Sequence, residues 1–180
     1  PFHAFSALSL SFEASMHKPD TVVILAAGQG TRMKTGWAKV MAPLCGRPML
    51  AWVVDQALAL DPRKIVVVVG YQADQVRQAL AELDPQQRLR TVLQAEQKGT
   101  GHALQCCLPE LADVQGAVVL LYGDMPLLRR ESLQLLCTEQ ATTQGGVALL
   151  TAEPSDPRGF GRIVRAADDS VARIVEDKDA

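Results

Sequence analysis

The sequence predicts an α/β domain with a doubly wound, mostly parallel sheet. Short apolar segments rich in Val and Ile alternate along the chain with segments in which apolar residues recur at helical spacing. Most of the apolar segments are continuous, which is typical of parallel strands covered by helices on both faces. This alternation indicates β-α-β units with right-handed crossovers.

Five apolar segments are predicted as strands, and they lie at 21–27, 64–70, 90–95, 117–123 and 146–152. Four helices are predicted at 48–60, 73–83, 100–111 and 129–141. Pro48 suits the first position of the first helix, and Pro109 is expected to kink or end the third. Parallel sheets bind ligands at the carboxyl ends of their strands. We therefore expect the loops that leave three of those ends to lie near one another, namely 28–39, 94–101 and 123–127.

Composition argues against several classes of function. The 180 residues, 48% of them hydrophobic, are enough for one domain with a buried core. A net charge of -2 argues against a general binder of nucleic acids or membrane surfaces, and 4% aromatic residues are too few for base-stacking platforms. The four cysteines form no C-x-x-C pair, so we expect reduced thiols in a cytoplasmic protein.

The first residues lack the features of a targeting segment. No Lys or Arg precedes Lys18, as the basic start of a signal peptide would require, and no run of about 18 apolar residues predicts a membrane helix. We therefore expect residues 1–20 to be a leader or upstream segment without stable structure. Residues 21–180 are expected to form the folded domain.

The loop after the first predicted strand, "GQGTRMKTGWAK", combines glycines with cations. Glycines let backbone N–H groups turn toward a bound anion, and Arg32 and Lys39 can donate charge-assisted hydrogen bonds to phosphate oxygens. The loop fits neither the G-x-G-x-x-G nor the Walker A motif, because Met33 stands where each requires a glycine. The composition therefore predicts a phosphate site of another kind, with an ordinary solvated loop as the alternative.

Two later loops also carry polar groups at predicted strand ends. In "LQAEQKGTGHAL" the amide of Gln94 offers donors and acceptors that suit a base edge, and Gly99 and Thr100 open a helix. The alternative is a capping turn made by Thr100. In "LLYGDMPLL" the carboxylate of Asp124 follows a strand, where it can hold Mg²⁺ beside phosphates. A turn or helix-cap aspartate is the alternative there. For His102, at the start of the third helix, a helix-face or capping role is favoured over catalysis.

Together with "LAAGQGTRM", "DPRGFGRIVR" and "IVEDKDA", these motifs resemble the N-terminal pyrophosphorylase domain of bacterial bifunctional N-acetylglucosamine-1-phosphate uridyltransferases, in the MobA-like superfamily of sugar-phosphate nucleotidyltransferases. The resemblance covers residues 21–180. It implies a Rossmann-like, glycosyltransferase-A-like nucleotidyltransferase fold. It also implies Mg²⁺-dependent uridylyl transfer from UTP to N-acetylglucosamine 1-phosphate in cell-envelope precursor synthesis. The full-length family forms a homotrimer, with neither nucleic acid nor membrane as a partner.

The resemblance implies a role for each matching residue. The nucleotide would be contacted by Leu25, Ala26, Ala27, Gly28, Gln94, Gly99, Thr100, Tyr122 and Gly123. Arg32 and Lys39 would hold its phosphates and Asp124 would bind the Mg²⁺, so these three residues would carry catalysis. Gly161 and Glu176 would contact the sugar.

The chain departs from the family pattern in two places. Ala38 stands where the family has Pro before the lysine, which changes the stiffness of that loop. The chain also ends at Ala180, before further residues of the family's sugar and metal sites and before its β-helix acetyltransferase domain. We therefore expect a fold that is incomplete at its C-terminus and a weak or inactive catalyst. A nucleotidyltransferase for another sugar or base, or a non-catalytic nucleotide binder, remains as an alternative.

Overall fold

The computed structural model describes residues 17–30, 36–84, 87–142, 146–168 and 170–179. The strands are, in chain order, β1 (Thr21–Ala26), β2 (Pro43–Leu44), β3 (Arg47–Pro48), β4 (Lys64–Val69), β5 (Leu89–Leu93), β6 (Val118–Tyr122), β7 (Arg162–Arg165) and β8 (Val171–Val175). The helices are α1 (Met49–Ala59), α2 (Ala73–Leu83), α3 (Thr100–Cys106), α4 (Leu108–Leu111) and α5 (Arg130–Thr142). Within the described residues, no helix is both long enough and apolar enough to cross a membrane.

The main sheet has the strand order β5-β4-β1-β6, and all of its pairings are parallel. From β1 the chain moves outward through β4 to β5, and it then returns to place β6 on the other side of β1. The order of strands therefore reverses between β1 and β6, which is the point where open α/β sheets bind ligands. This arrangement confirms the predicted doubly wound, parallel sheet.

Burial explains why the sequences of β1 and β4 are nearly continuous in apolar residues. Every residue of β1 and all but the first residue of β4 are buried, because helices cover both faces at the centre of the sheet. Strand β6 lies at the edge, and only Val119 and Leu121 in it are buried. On one face, Ile24 and Val67 pack with residues of α1, α2 and α5. On the other face, Val23 packs with residues of α3.

Helix boundaries lie near Pro48 and Pro109, but each is shifted slightly from its predicted position. Pro48 lies one residue before α1, at the N-cap position, rather than at the first helical position as predicted. The predicted third helix is divided into α3 and α4, and Pro109 stands in the first turn of α4. Proline is tolerated in a first turn because its missing N–H would have no partner within the helix.

The described residues also form two antiparallel hairpins that the sequence patterns did not predict. Strands β2 and β3 are joined by Cys45 and Gly46, whose φ angles of 50° and 79° are those of a type I′ turn. Strands β7 and β8 pair with each other in a second compact unit, which begins at Leu149. The dipeptide Cys45-Gly46 was the one sequence feature that could have indicated the first of these turns.

The prediction of a strand at 146–152 is wrong. These residues have no regular secondary structure, and the side chains of Val147 and Leu150 are exposed. A continuous apolar run shows that a segment tolerates burial, but a strand also requires a neighbouring strand to bond its backbone. Among the described strands, none pairs with this segment.

Ion pairs tie together the amino ends of the central strands. Arg63 binds the carboxylates of Asp20, at 3.0 Å, and Asp113, at 2.7 Å, and Lys64 binds Asp113 at 2.6 Å. Hydrogen bonds from Arg63, which has the larger effect, and from Lys64 hold the pKa of Asp113 far below its usual range. The backbone N–H of Asp20 also donates to Ala117, so the chain is fixed in place just before β1.

Candidate functional site

A cleft of about 240 Å³ lies at the carboxyl ends of three parallel strands, β1, β5 and β6. It stands beside the reversal of strand order, where ligands bind in open α/β sheets. Its lining residues are Leu25, Ala27, Gly28, Lys39, Val40, Gln94, Gln97, Gly99, Thr100, Ala103, Tyr122 and Asp124. The expectation that the three strand-end loops lie near one another is thus confirmed for their described residues.

A larger groove of about 480 Å³ lies elsewhere, beside the amino end of β1, the last turn of α1 and one side of α5. Two of its charged side chains, Lys18 and Asp61, bind each other at 2.5 Å. It contains none of the site residues predicted from the sequence, and it is at the edge of the sheet opposite to the one that binds ligands in this fold class. We therefore assign the functional site to the smaller cleft.

An ion pair between Lys39 and Asp124 joins the first and third loops across this cleft. The ammonium Nζ of Lys39 donates to the carboxylate Oδ2 of Asp124 at 2.5 Å. Lys39 begins a single 3-10 turn, Lys39–Met41, and Asp124 lies in a turn two residues after β6. Since the next helix after Asp124 begins only at Arg130, the helix-cap alternative for this aspartate is wrong.

Gly30 makes the position of Lys39 possible. Its φ of 67° lies in the left-handed region, where a side chain is unfavourable. A Cβ atom at residue 30 would stand 2.5 Å from the Cβ of Lys39, which is far inside contact distance. The second glycine of the first loop is therefore required by its backbone angle and by the lysine that packs against it.

The amide of Gln94 is held from two directions. Its Nε2 lies 3.0 Å from the carbonyl oxygen of Gly99, to which it donates, and 3.0 Å from Nδ1 of His102. Its backbone N–H donates to Val69 at 2.8 Å, so the chain continues along the sheet just past the end of β5. Gln94 is buried although it lines the cleft, which makes the direction of its amide well defined.

The turn before α3 is not capped by a threonine. Helix α3 begins at Thr100, and Gly99 occupies the N-cap position with a φ of 94° and no side-chain cap. The interpretation of Thr100 as an N-cap residue is therefore wrong. Both residues line the cleft.

Two glutamines that were not predicted connect the loops around the cleft. Gln97 donates from Nε2 to the carbonyl oxygen of Ala27 at 3.0 Å. Gln72 accepts from the backbone N–H of Ala38 at 2.9 Å and donates to the carbonyl of Gly36, so it holds the chain just before Lys39. Neither role could be predicted from sequence patterns, because each bond joins residues that are far apart in the chain.

Ala26 and Gly123 lie in the wall behind the lining residues. Ala26 is buried, and the backbone N–H of Gly123 donates to Leu25 at 2.9 Å. A Cβ at residue 123 would be 3.1 Å from a methyl group of Val40 and 3.2 Å from the Leu25 carbonyl oxygen. Because residue 123 is a glycine, the backbone after β6 can pack closely against the end of β1 before it reaches Asp124.

Three further residues were predicted from the sequence as site residues. Arg32 is outside the residues that the structure describes. Gly161 precedes β7 and Glu176 follows β8, in the second compact unit. Because Arg162 pairs with Val175 in this hairpin, Gly161 and Glu176 stand at the same end of it.

The donor set of the cleft fits one mode of magnesium binding. Within the described chain, no cluster of three or more His, Cys, Asp or Glu side chains could form a protein-only metal cage. Magnesium is commonly held by one or two carboxylates together with substrate phosphates and water. Asp124 fits this mode once its partner Lys39 moves away, so we take it as the candidate magnesium ligand.

Comparison with known proteins then decides the family. The family model of the MobA-like NTP transferase domain matches residues 22–177 of this chain. The chain belongs to the MobA-like NTP transferase family. This membership agrees with the cleft at the carboxyl edge of a doubly wound sheet.

Curated relatives of this MobA-like NTP transferase share about half of its residues. The bifunctional protein GlmU of Paraburkholderia phytofirmans is 52% identical over 159 residues, which are 88% of this chain and 34% of that protein. The bifunctional protein GlmU of Cutibacterium acnes is 47% identical over 159 residues, 88% of this chain and 37% of that protein. The chain thus spans about a third of the length of these relatives.

Solved structures show the same fold at lower identity. A UDP-glucose pyrophosphorylase from Acinetobacter baumanii superposes with a TM-score of 0.68 at 18% identity, covering 88% of this chain and 68% of that one. HddC from Yersinia pseudotuberculosis, complexed with GMP-PN, superposes with a TM-score of 0.61 at 20% identity, covering 87% and 68%. The Rossmann-like nucleotidyltransferase fold implied by the sequence motifs is therefore confirmed.

Proposed function

We propose that this protein transfers the uridylyl group of UTP to N-acetyl-α-D-glucosamine 1-phosphate, forming UDP-N-acetylglucosamine and diphosphate. The observation that carries the proposal is the convergence of Lys39, Asp124 and Gln94 on one cleft. A cation, a carboxylate and a buried amide are the groups needed for phosphates, a metal ion and a base. Support also comes from membership in an NTP transferase family and from the identity to proteins named GlmU.

Recognition of the base is assigned to Gln94. Both described partners of its amide lie at Nε2, so the oxygen Oε1 is the atom left for a ligand. Uracil carries a hydrogen-bond donor at N3, which complements this acceptor, whereas cytosine carries an acceptor at N3. A site built around such a hydrogen bond rejects the mismatched base, since the polar groups of both would be left unpaired.

Binding of the phosphates is assigned to Lys39, Arg32 and the backbone around Gly28. Lys39 exchanges the carboxylate of Asp124 for the phosphates of UTP, and the carboxylate is then free for Mg²⁺. When bound there, Mg²⁺ would neutralise charge that develops on the leaving diphosphate. Each charged group of the ion pair finds a new partner of opposite sign, so neither is left unpaired in the cleft.

The reaction requires positioning more than acid–base chemistry. A phosphate oxygen of the sugar phosphate attacks the α-phosphorus of UTP, and the bond from that phosphorus to the diphosphate oxygen breaks. Since the attacking oxygen is already anionic, no side chain has to remove a proton. The contribution of the residues is alignment of two charged reactants and stabilisation of charge. We assign contact with the sugar to Gly161 and Glu176.

The test measures product formation and nucleotide binding in parallel. Purified protein is incubated with UTP, N-acetylglucosamine 1-phosphate and Mg²⁺, and UDP-sugar is detected by mass spectrometry while UTP binding is measured by calorimetry. We expect UTP to bind, and Lys39→Ala to weaken both UTP binding and product formation at least about tenfold. The control Lys18→Ala removes an exposed lysine of the larger groove and should change neither. Equal use of another base or sugar, or no binding of UTP at all, would contradict the proposal.

A further inference from the structure

His102 stands behind Gln94, on the first turn of α3. Its Nδ1 is 3.0 Å from Nε2 of Gln94, and its Nε2 is 3.9 Å from the sulfur of Cys106 on the next turn of the helix. His102 is absent from the cleft lining, so its ring contacts a lining residue without itself lining the site. A residue in this position can act on a ligand through Gln94.

The hydrogen bonds define which way both side chains face. The amide nitrogen of Gln94 has two N–H donors, one for the carbonyl of Gly99 and one for Nδ1 of His102. Nδ1 must then be the unprotonated ring nitrogen, and the ring proton lies on Nε2, toward the sulfur of Cys106. If the amide turned over, its oxygen would face two other acceptors.

The other tautomer would relax this constraint. With the proton on Nδ1, His102 would donate to an overturned amide, and only the carbonyl of Gly99 would oppose the reversal. The reversed amide would present Nε2 to a ligand instead of Oε1. It would therefore complement the N3 acceptor of cytosine instead of the N3 donor of uracil. Because Gln94 is buried, an unmatched amide cannot be satisfied freely by solvent.

We propose that His102 is a positioning residue that sets the base selectivity of this site: through an unprotonated Nδ1 it holds the amide of Gln94 with Oε1 available to the base. This inference rests on the proposed function, in which Gln94 contacts the base of the nucleotide. It assigns to His102 a role in discrimination between uracil and cytosine. It assigns no role in the transfer step itself.

The test compares three substitutions on α3 by calorimetric titration with UTP, dTTP and CTP. His102→Leu replaces the imidazole with an apolar side chain of similar bulk that has no acceptor, and we expect the preference for UTP over CTP to fall at least about tenfold. Thymine also has a donor at N3, so the affinity for dTTP should fall in parallel with that for UTP. His102→Asn returns an acceptor near the place of Nδ1 and should keep the preference within about threefold. The matched control Gln105→Leu, at an exposed position of the same helix, should match the unmodified protein.

The outcomes separate this inference from the proposed function. If the unmodified protein binds UTP and CTP equally, the assignment of uracil recognition to Gln94 is wrong. If it prefers UTP and His102→Leu keeps that preference, only the role of His102 is wrong. Should His102→Leu fail to fold by circular dichroism, nitrogen-15 spectra of the unmodified protein decide the matter. We expect the ring proton of His102 on Nε2, and a proton on Nδ1 in the neutral ring would overturn the inference.

Discussion

The carboxylate of Asp124 lies 2.5 Å from the ammonium of Lys39, although 85 positions separate the two residues in the chain. Each group arrives at the carboxyl edge of the sheet on a different loop, one after β1 and one after β6. Both side chains are partly exposed, so the pair can open toward solvent without leaving a deeply buried charge. In the function proposed above, the pair would keep a phosphate ligand and a metal ligand close together before either has bound its own partner.

Replacement of Asp124 by Asn should separate a functional role from a structural one. The change keeps the size of the side chain and removes its charge, so it should weaken both the ion pair and the proposed binding of magnesium. We expect Mg²⁺-dependent transfer to fall at least about tenfold, or roughly 1.4 kcal/mol in the barrier. The free energy of unfolding should change by less than about 1 kcal/mol, since the ion pair is partly exposed.

Asp61→Asn is the matched control for this variant. Asp61 forms a partly exposed ion pair with Lys18 at 2.5 Å, beside the larger groove and away from the cleft. The Asp61→Asn variant should show a similarly small change in the free energy of unfolding and an unchanged rate of Mg²⁺-dependent transfer. Full turnover of Asp124→Asn together with a large loss of stability would mean that Asp124 is only a turn residue.

Gly30→Ala should weaken nucleotide binding by displacing Lys39. The new Cβ would lie 2.5 Å from the Cβ of Lys39, and the backbone would keep a positive φ. We expect UTP affinity, measured by calorimetry, to fall at least about fivefold, and stability to fall by about 1–2 kcal/mol from backbone strain.

Gly46→Ala separates the strain from the contact. Gly46 also has a positive φ, 79°, but a Cβ there meets no atom within 4 Å. The free energy of unfolding of the Gly46→Ala variant should fall by about 1–2 kcal/mol from the same backbone strain, and its affinity for UTP should equal that of the unmodified protein. If both alanine variants bind UTP as the unmodified protein does, the contact between Gly30 and Lys39 has no part in binding.

Stability at acid pH should depend on Asp113. Hydrogen bonds from Arg63 and Lys64 lower the pKa of Asp113 in the folded state below the unfolded value of about 3.9. The stabilisation is therefore present in full above that unfolded value and is lost as the pH falls below it toward the folded pKa. Urea unfolding at pH 6 and pH 3 should show a smaller loss of stability on acidification in Asp113→Asn than in the unmodified protein.

Arg63→Gln provides the second arm of that experiment. It removes the largest cause of the lowered pKa at both Asp113 and Asp20. This variant should also show a weaker dependence of stability on pH below about 4. An equal loss of stability on acidification in all three proteins would show that the ion pairs at the amino ends of the strands contribute nothing to acid unfolding.

The cysteines should differ widely in their reaction with iodoacetamide. Burial raises the pKa of Cys107 to about 11, with smaller contributions from Cys106 and Glu110, and burial also raises the pKa of Cys137. Cys45 is exposed in the turn between β2 and β3. At pH 8, mass spectrometry should show Cys45 modified first, and Cys107 and Cys137 modified only after unfolding, because the thiolate is the reacting form. Rapid modification of Cys107 in the folded protein would contradict its place in the core.

The sequence by itself determined the main sheet and the edge at which the site lies. Apolar segments rich in Val and Ile predicted β1, β4, β5 and β6 within two residues of their ends. The segments of β1 and β4 are nearly continuous in apolar residues, because parallel strands buried on both faces leave no room for polar side chains. Polar and glycine residues after three of these strands predicted the cleft, since parallel strands deliver their carboxyl ends to one edge. Each of these features depends on residues that are close together in the chain, so the local pattern of apolar and polar residues is enough to predict it.

Only the tertiary structure decided which groups meet. The apolar run at 146–152 predicted a strand, yet a strand depends on a partner, and partners are chosen by contacts between distant parts of the chain. The same limit applies to the ion pair of Lys39 with Asp124, which are 85 positions apart in the chain. Residue types could indicate that a cation, a carboxylate and an amide were present. The direction of each side chain is set by groups packed around it, so the identity of those groups emerged only from the fold.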